Sequence, residues 1–242
     1  MYKIVIVIIL SYFVFGCANS SLDSKLSESK ESILIETNNY PKLIAYYKGQ
    51  LKIKESDSTR IKLAEAYANN GDYESSLFVI TRVREKESNV KAIVVECNAL
   101  FEIGNIRKAE LCLLMANELD KNNPEIENQL GITYAYLGYI KKSKYYFERS
   151  REHFVDDVKI KNNLAMVSML EGDFEHAASL LLPIYVKGAS NEKIETNLVF
   201  SLVKINQIDS AKKILASRYS EKESFQIIND IKSSQSVNSP MI

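Results

Sequence analysis

Apolar residues recur along most of the chain at the spacing of amphipathic helices, in blocks that resemble one another. Five segments align without gaps: LAEAYANNGDYESSLFVITRV, ECNALFEIGNIRKAELCLLMA, LGITYAYLGYIKKSKYYFERS, LAMVSMLEGDFEHAASLLLPI and LVFSLVKINQIDSAKKILASR. The ninth residue of each segment is a glycine in the first four, Gly71, Gly104, Gly138 and Gly172, and Asn206 in the fifth. These residues are separated by 33, 34, 34 and 34 positions. The chain is therefore predicted to be an array of similar helical units.

A period of about 34 residues with this pattern indicates the tetratricopeptide repeat, or TPR. Each repeat is predicted to form two antiparallel helices with a glycine or asparagine at the turn, because these residues adopt φ > 0. Small residues then allow the second helix to approach the first: Ser76, Ala109, Ser143, Ala177 and Ala211. The predicted fold class is all-α, a TPR superhelical solenoid of antiparallel helix pairs.

The ends of the array have signals of their own. "NNYPKLIAYYKGQLK" resembles a second TPR helix, and "SILIE" before it is predicted to belong to its partner. Ser220 and Glu223 have the spacing of a capping box, which would begin a terminal helix over "FQIINDIK". Pro124 is predicted to begin a helix and Pro183 to end or kink one. The array is expected to span 31–232, with five repeats, the N-terminal helix pair and the C-terminal cap, followed by a disordered tail over 233–242.

The first residues have the pattern of an export signal. Lys3 precedes an uncharged run from Ile4 to Phe15. A bilayer-spanning helix needs about 20 residues, so the shorter run fits a signal peptide better than a span. Gly16-Cys17 resembles a bacterial lipobox, in which the cysteine is acylated and becomes the first mature residue, although Phe15 departs from the usual small residue there.

We therefore expect a lipoprotein signal peptide over 1–16, lipidation at Cys17 and a flexible Ser-rich tether over 17–30. Ala18, in place of the aspartate that resembles an inner-membrane retention signal, favours the outer membrane. An uncleaved anchor, or a plain signal peptide with an incidental cysteine, is the alternative.

Composition and charge add mainly exclusions. Lys plus Arg and Asp plus Glu both total 31, so the sequence offers no electrostatic reason to expect nucleic acid. His153 and His176 have no partners at metal-ligand spacing, and no nucleophile–base pair or phosphate loop is found. We predict no metal, cofactor, small-molecule substrate or enzyme activity. Cys97 and Cys112 could form a disulfide, but two buried thiols are the interpretation favoured by the sequence.

Stacked TPRs curve, and their first helices line a concave groove. A candidate peptide-binding groove follows from the repeat register. Its residues are Asn98, Phe101, Ile132, Tyr136, Asn162, Met166, Met169 and Phe200. Several of these could instead pack on neighbouring repeats. A groove of this kind would bind protein partners.

The amino-acid sequences of the individual repeats resemble those of the TadD family, from about Tyr40 to Leu215. The most similar stretches are "YPKLIAYYKGQLK", "RIKLAEAYANNGDYESSL", "KNNLAMVSMLEGDFEHAASLLLPIY" and "NLVFSLVKI". TadD proteins are TPR lipoproteins of the tight-adherence (Flp, type IVb) pilus machinery. The resemblance implies an outer-membrane protein facing the periplasm, which acts as a pilotin-like scaffold for secretin or other pilus-assembly components. Another TPR envelope lipoprotein, such as a type IV pilotin or a peptidoglycan-enzyme adaptor, is the alternative.

Overall fold

The structure is a computed structural model, and it describes residues 29–84, 89–153 and 157–234. The predicted signal peptide, Cys17, nearly all of the predicted tether and residues 235–242 lie outside these ranges. The chain divides into two compact units, Met1–Ile103 and Gly104–Ile242, and each is described by itself. Within the described ranges, no helix is both long enough and apolar enough to span a bilayer.

The described residues contain thirteen helices. The first unit has α1 (29–36), α2 (Tyr40–Ile53), α3 (Asp57–Asn69), α4 (Tyr73–Arg84) and α5 (Val90–Glu102). The second unit has α6 (Ile106–Leu119), α7 (Pro124–Tyr136), α8 (Ile140–Glu152), α9 (Asp157–Leu170), α10 (Phe174–Val186), α11 (Glu192–Lys204), α12 (Ile208–Leu215) and α13 (Glu221–Ser233).

Helices that are neighbours in the chain pack as pairs, as the repeat pattern predicts. The pairs α3–α4, α7–α8, α9–α10 and α11–α12 each contact one another, and each pair contacts the next helix within its unit. At the N-terminal end, Leu34 of α1 shares a buried cluster with Leu43, Tyr47 and Leu63. The all-α fold of sequential helix pairs is confirmed.

The turns between successive helices use the predicted residues. Gly71, Gly104, Gly138 and Gly172 have φ between 74° and 81°, and Asn206 takes their place with φ 62°. Asn38, between α1 and α2, also has a positive φ, at 50°. It lies one repeat interval before Gly71 and therefore extends the series by one turn that the sequence alignment missed. Asparagine tolerates this conformation better than other residues with a Cβ.

Close packing of α7 on α8 depends on a second kind of glycine. A Cβ placed on Gly131 would lie 2.6 Å from Cδ1 and Cε1 of Phe147, which is fully buried. The hydroxyl of Ser143 also donates a hydrogen bond to the Gly131 carbonyl at 2.7 Å. Small residues at 131 and 143 therefore let the two helices approach, with the Phe147 ring filling the gap between them.

Two predicted helix boundaries have different outcomes. Pro124 begins α7, and the Asn123 side chain caps it by accepting from the amides of Glu125 and Ile126. Pro183 does not end its helix, because α10 continues to Val186. Pro183 is exposed and lies in the last turn, so the ring costs one helical hydrogen bond in a position that water can reach.

The C-terminal helix α13 begins at the predicted capping box. Ser220 accepts from the amide of Glu223, and the Glu223 carboxylate accepts from the amide of Ser220. Ile228 of α13 is buried in one cluster with Leu198, Leu202 and Leu215 of the preceding pair. α13 therefore covers the end of the last repeat.

Cys97 and Cys112 differ from the interpretation favoured by the sequence. Both are disulfide-bonded in the structure, so they are not two buried thiols. Disulfide formation needs Cα atoms within about 7 Å, and sequence spacing does not determine that distance.

Candidate protein-binding surface

Asparagine side chains join the first helices of three successive repeats, α7, α9 and α11. Asn163 Nδ2 donates to Asn128 Oδ1 at 2.8 Å, and Asn197 Nδ2 donates to Asn162 Oδ1 at 2.9 Å. Both bonds join residues 35 positions apart, so one contact is made twice in the repeat register. We call these four residues the asparagine ladder. Each bond fixes the alignment of one first helix against the next.

Asn162, one of the predicted groove residues, is largely covered by this ladder. Only 6% of the residue is exposed, and its amide oxygen already accepts from Asn197. A buried polar side chain needs such a partner, because an unpaired amide would cost about 1–3 kcal/mol. Its structural role is therefore to hold helices together, and direct binding of a peptide by Asn162 stays a prediction.

Ile132, Met166 and Phe200 occupy one equivalent position on the three first helices, each one repeat after the last. Ile132 is half-buried against the cluster that contains Phe147. Met166 is 40% exposed. Phe200 is half-buried, its ring centre lies 5.9 Å from that of Phe174, and the Lys204 ammonium lies 5.4 Å from it. Of these three predicted residues, Met166 offers the most surface to a partner.

A second equivalent position carries exposed apolar side chains on α7 and α9. Tyr136 is 64% exposed, and Leu170, its counterpart in the next repeat, is 46% exposed. Met169, also a predicted groove residue, is half-buried and packs on the C-terminal core. Leu170 was not among the predicted residues, although its register with Tyr136 was visible in the sequence.

The remaining two predicted residues, Asn98 and Phe101, lie on α5 in the first unit. Both are half-buried. Asn98 has the same repeat position as Ile132, one repeat earlier. That all eight residues form a single groove stays a prediction. The six in the second unit share one compact body, and of these Tyr136 and Met166 are the exposed ones that supply the candidate surface.

A cavity of about 260 Å³ lies beside Phe200, between α11, the end of α12 and α13. Apolar side chains form most of its wall, among them Val199, Ile214 and Ile227. Arg218 lies at this cavity with two acidic partners, and its Nη2 is 2.9 Å from Glu195 and its Nη1 is 3.8 Å from Glu192. The arrangement can hold an apolar side chain next to polar groups.

A buried carboxylate links α7 to the end of α8. Glu127 is fully buried, and its two oxygens lie 2.7 Å from Arg149 Nε and 2.7 Å from His153 Nδ1. Arg149 Nη2 also donates to Asn122 Oδ1 at 2.6 Å. The hydrogen bond with Glu127 raises the pKa of the Arg149 guanidinium, which means that the contact stabilises its charged form. The Glu127 contacts therefore join α7 to the end of α8. Within the described ranges, no group of three or more His, Cys, Asp or Glu side chains is arranged to bind a metal ion.

No protein-family model matches the sequence, and no curated protein does so either. Solved structures do match. A thermophilic TPR protein from Thermus thermophilus has a TM-score of 0.64 at 15% identity, over 74% of this chain and 98% of that one. A tetratricopeptide repeat protein from Parabacteroides merdae has a TM-score of 0.65 at 11% identity, over 86% and 85%. PilF from Pseudomonas aeruginosa has a TM-score of 0.66 at 16% identity, over 85% and 96%.

The chain has the tetratricopeptide-repeat fold. At these identities the likeness concerns the fold. The TPR register explains why exposed apolar residues such as Tyr136 and Leu170 recur on successive first helices, since each holds the same position of its repeat. It also explains what sequence reasoning missed. Ile227 and Ile231 at the cavity follow the last repeat, where the period no longer assigns positions, and Arg218 is the final residue of the fifth aligned segment.

Proposed function

We propose that this TPR protein is a non-enzymatic scaffold that binds a protein partner on the first-helix surface of α7, α9 and α11. The observation that carries the proposal is the exposure of Tyr136, Met166 and Leu170 at repeated positions, above helices aligned by the asparagine ladder. Apolar side chains on rigid helices give a partner surface to bury at low entropic cost. Methionine adapts to different partner shapes.

We propose further that the scaffold acts in the assembly of a tight-adherence (Flp) pilus, at the outer membrane, with secretin or another assembly component as its partner. The resemblance of the repeats to TadD lipoproteins and the Gly16-Cys17 signal support this proposal. An anchored scaffold with no catalytic group would serve by holding a partner at the membrane where a large complex forms.

Deleting the gene is the direct test of the pilus role. The expected result is loss of surface Flp pili together with less assembled secretin, measured by electron microscopy and by immunoblotting of unheated membranes. Complementation with the wild-type gene is the control. Normal piliation and normal secretin assembly in the deletion strain would refute the pilus role and leave the binding surface to be tested separately.

Met166→Glu tests the binding surface. A charge at a position that becomes buried against a partner is expected to lower capture of the secretin at least about 10-fold, since an unpaired buried charge costs several kcal/mol. Quantitative co-purification after cross-linking in cells measures it.

Leu182→Glu is the matched control, because Leu182 is 42% exposed, close to the 40% of Met166, but lies on the second helix α10. Equal capture by the two variants would show that the first helices are not the contact surface.

Cys17→Ser tests the anchor. Without the thiol no acyl chain can be attached, so the protein is expected to leave the outer-membrane fraction and to lose incorporation of labelled fatty acid. Cys97 and Cys112, being disulfide-bonded, provide no alternative thiol for acylation. Membrane fractionation and metabolic labelling measure the result, and unchanged labelling would exclude the lipoprotein assignment.

A further inference from the structure

We propose that the first turns of α6 and α8 form a docking edge for an anionic lipid bilayer. These turns carry four cations, Arg107, Lys108, Lys141 and Lys142, which we call the cationic edge. Its cations lie on the second helices α6 and α8, whereas the surface proposed for the protein partner lies on first helices. The inference goes beyond the proposed function and does not depend on pilus assembly.

Tyr139 brings the two helix ends together. Arg107 Nη2 donates to the Tyr139 hydroxyl at 2.9 Å, and the guanidinium carbon lies 5.2 Å from the centre of the ring. The Lys142 ammonium lies 5.4 Å from the same ring and 4.9 Å from that of Tyr134. Cations from two successive repeats therefore face one exposed tyrosine, which is 41% accessible.

Few acidic groups compensate the cationic edge. Glu110 pairs with Arg107 at 3.0 Å but is itself mostly buried. Glu171 lies 2.5 Å from Lys144, the next lysine of α8. Lys108 and Lys141 are exposed and, within the described residues, form none of the ion pairs found. The four cations of the cationic edge and the carboxylate of Glu110 leave a local excess of three positive charges on a chain whose formal net charge is zero.

Exposed apolar side chains continue the same faces by one helical turn. Leu111 follows Arg107 by four residues on α6 and is 68% exposed, with Met115 four residues further at 42%. Tyr145 follows Lys141 by four residues on α8 and is 56% exposed. Cations beside exposed tyrosine and aliphatic groups are the composition of surfaces that sit in the headgroup region of a bilayer.

An extended anionic surface fits this edge better than an acidic peptide does. The four cations lie on exposed first turns, and the exposed side chains of Leu111 and Tyr145 follow them by one helical turn. A plane of phosphates needs no cleft, and each Lys or Arg near such a plane increases partitioning about fivefold. The apolar residues gain by entering the interface, which soluble polyanions do not offer.

A tryptophan probe at Leu111 makes the contact measurable, because the chain contains no Trp. The full chain with Leu111→Trp is mixed with vesicles of phosphatidylcholine alone, or of equal parts phosphatidylcholine and phosphatidylglycerol. We expect blue-shifted emission only with the anionic vesicles, and less of it at high salt. Phe225→Trp, at a position on α13 that is 61% exposed, is the control and should stay unshifted. Any insertion of residues 4–15 is common to all variants and occurs with neutral vesicles too.

Charge reversal tests the cations. Lys108→Glu, Lys141→Glu and Lys142→Glu together are expected to weaken partitioning into anionic vesicles on the order of 100-fold. The three lysines lie in the first turns of their helices, where glutamate is favourable, so the fold should be retained. Lys159→Glu, Lys193→Glu and Lys222→Glu are the matched control, since they are exposed first-turn lysines of α9, α11 and α13 and change the net charge equally.

Loss of anionic binding in the first triple variant but not in the second supports the bilayer edge. Equal binding by both variants, or a Leu111→Trp shift as large with neutral vesicles, overturns it. A shift with polyglutamate but not with vesicles also overturns it, in favour of an acidic protein. Co-sedimentation of the otherwise unaltered chain repeats the comparison without the probe, and circular dichroism verifies that each variant is folded.

Discussion

Replacing Gly131 by leucine should lower the free energy of unfolding of the second unit by about 3 kcal/mol or more. Even the first added carbon would lie 2.6 Å from the Phe147 ring, and that ring is fully buried. Overpacking of this kind forces side chains out of their rotamers or separates the helices. Urea unfolding followed by circular dichroism measures the loss.

Gly49→Leu is the matched control for this prediction. Gly49 lies inside helix α2, is exposed, and has nothing within 4 Å of an added Cβ. Both substitutions gain helix propensity, about 0.8 kcal/mol relative to glycine, so the difference between them isolates the contact with Phe147. If the two variants were equally stable, the close approach of α7 and α8 would not depend on Gly131.

Arg149→Met is expected to cost about 3 kcal/mol, the second large effect, because it removes the main partner of a fully buried carboxylate. Among the described residues, His153 is then the remaining ion-pair partner of Glu127. Removing one member of a buried pair is more damaging than removing both, because the remaining charge is left without compensation. The double variant Glu127→Gln with Arg149→Met should therefore be more stable than Arg149→Met alone. Urea unfolding compares the two.

Arg151→Met provides the comparison within the same helix. Arg151 is 45% exposed and pairs with Asp157 and Glu148, whose side chains are about half exposed. Exposed pairs contribute about 0–1 kcal/mol, so this variant should differ little from the wild type. Equal losses for Arg149→Met and Arg151→Met would show that burial of Glu127 does not set the cost.

Much of the fold follows from the repeat register. The five aligned segments predicted the helix pairs, and the backbone at Asn206 has the left-handed conformation that this alignment required. Asn38 was missed because the five aligned segments begin at Leu63 and do not include the repeat that contains it. Pro183 was predicted to end or kink a helix, because proline lacks the amide that a helix interior needs. Since Pro183 is exposed in the last turn of α10, the loss of that hydrogen bond costs little free energy.

The candidate surfaces were less predictable, since they depend on contacts between repeats. The register assigned Met166 and Tyr136 to the candidate groove, and both side chains are exposed, yet it could not show that Asn162 is covered by the asparagine ladder. Charge was less visible still. Arg107 and Lys142 belong to different repeats, and only folding brings both to Tyr139. Sequence totals that cancel to zero therefore concealed a local excess.

The asparagine ladder has a consequence for how such an array can change its length. Each bond joins one position of a repeat to the following position of the next, with the same separation in both cases. If residues 139–172 were lost as one repeat, Asn197 would take the sequence place of Asn163 relative to Asn128 and could make the same bond. Duplication of that unit would add one more bond of the same kind. Because the asparagine hydrogen bonds recur in each repeat, duplication or deletion of a whole repeat can lengthen or shorten the protein without leaving an asparagine unpaired.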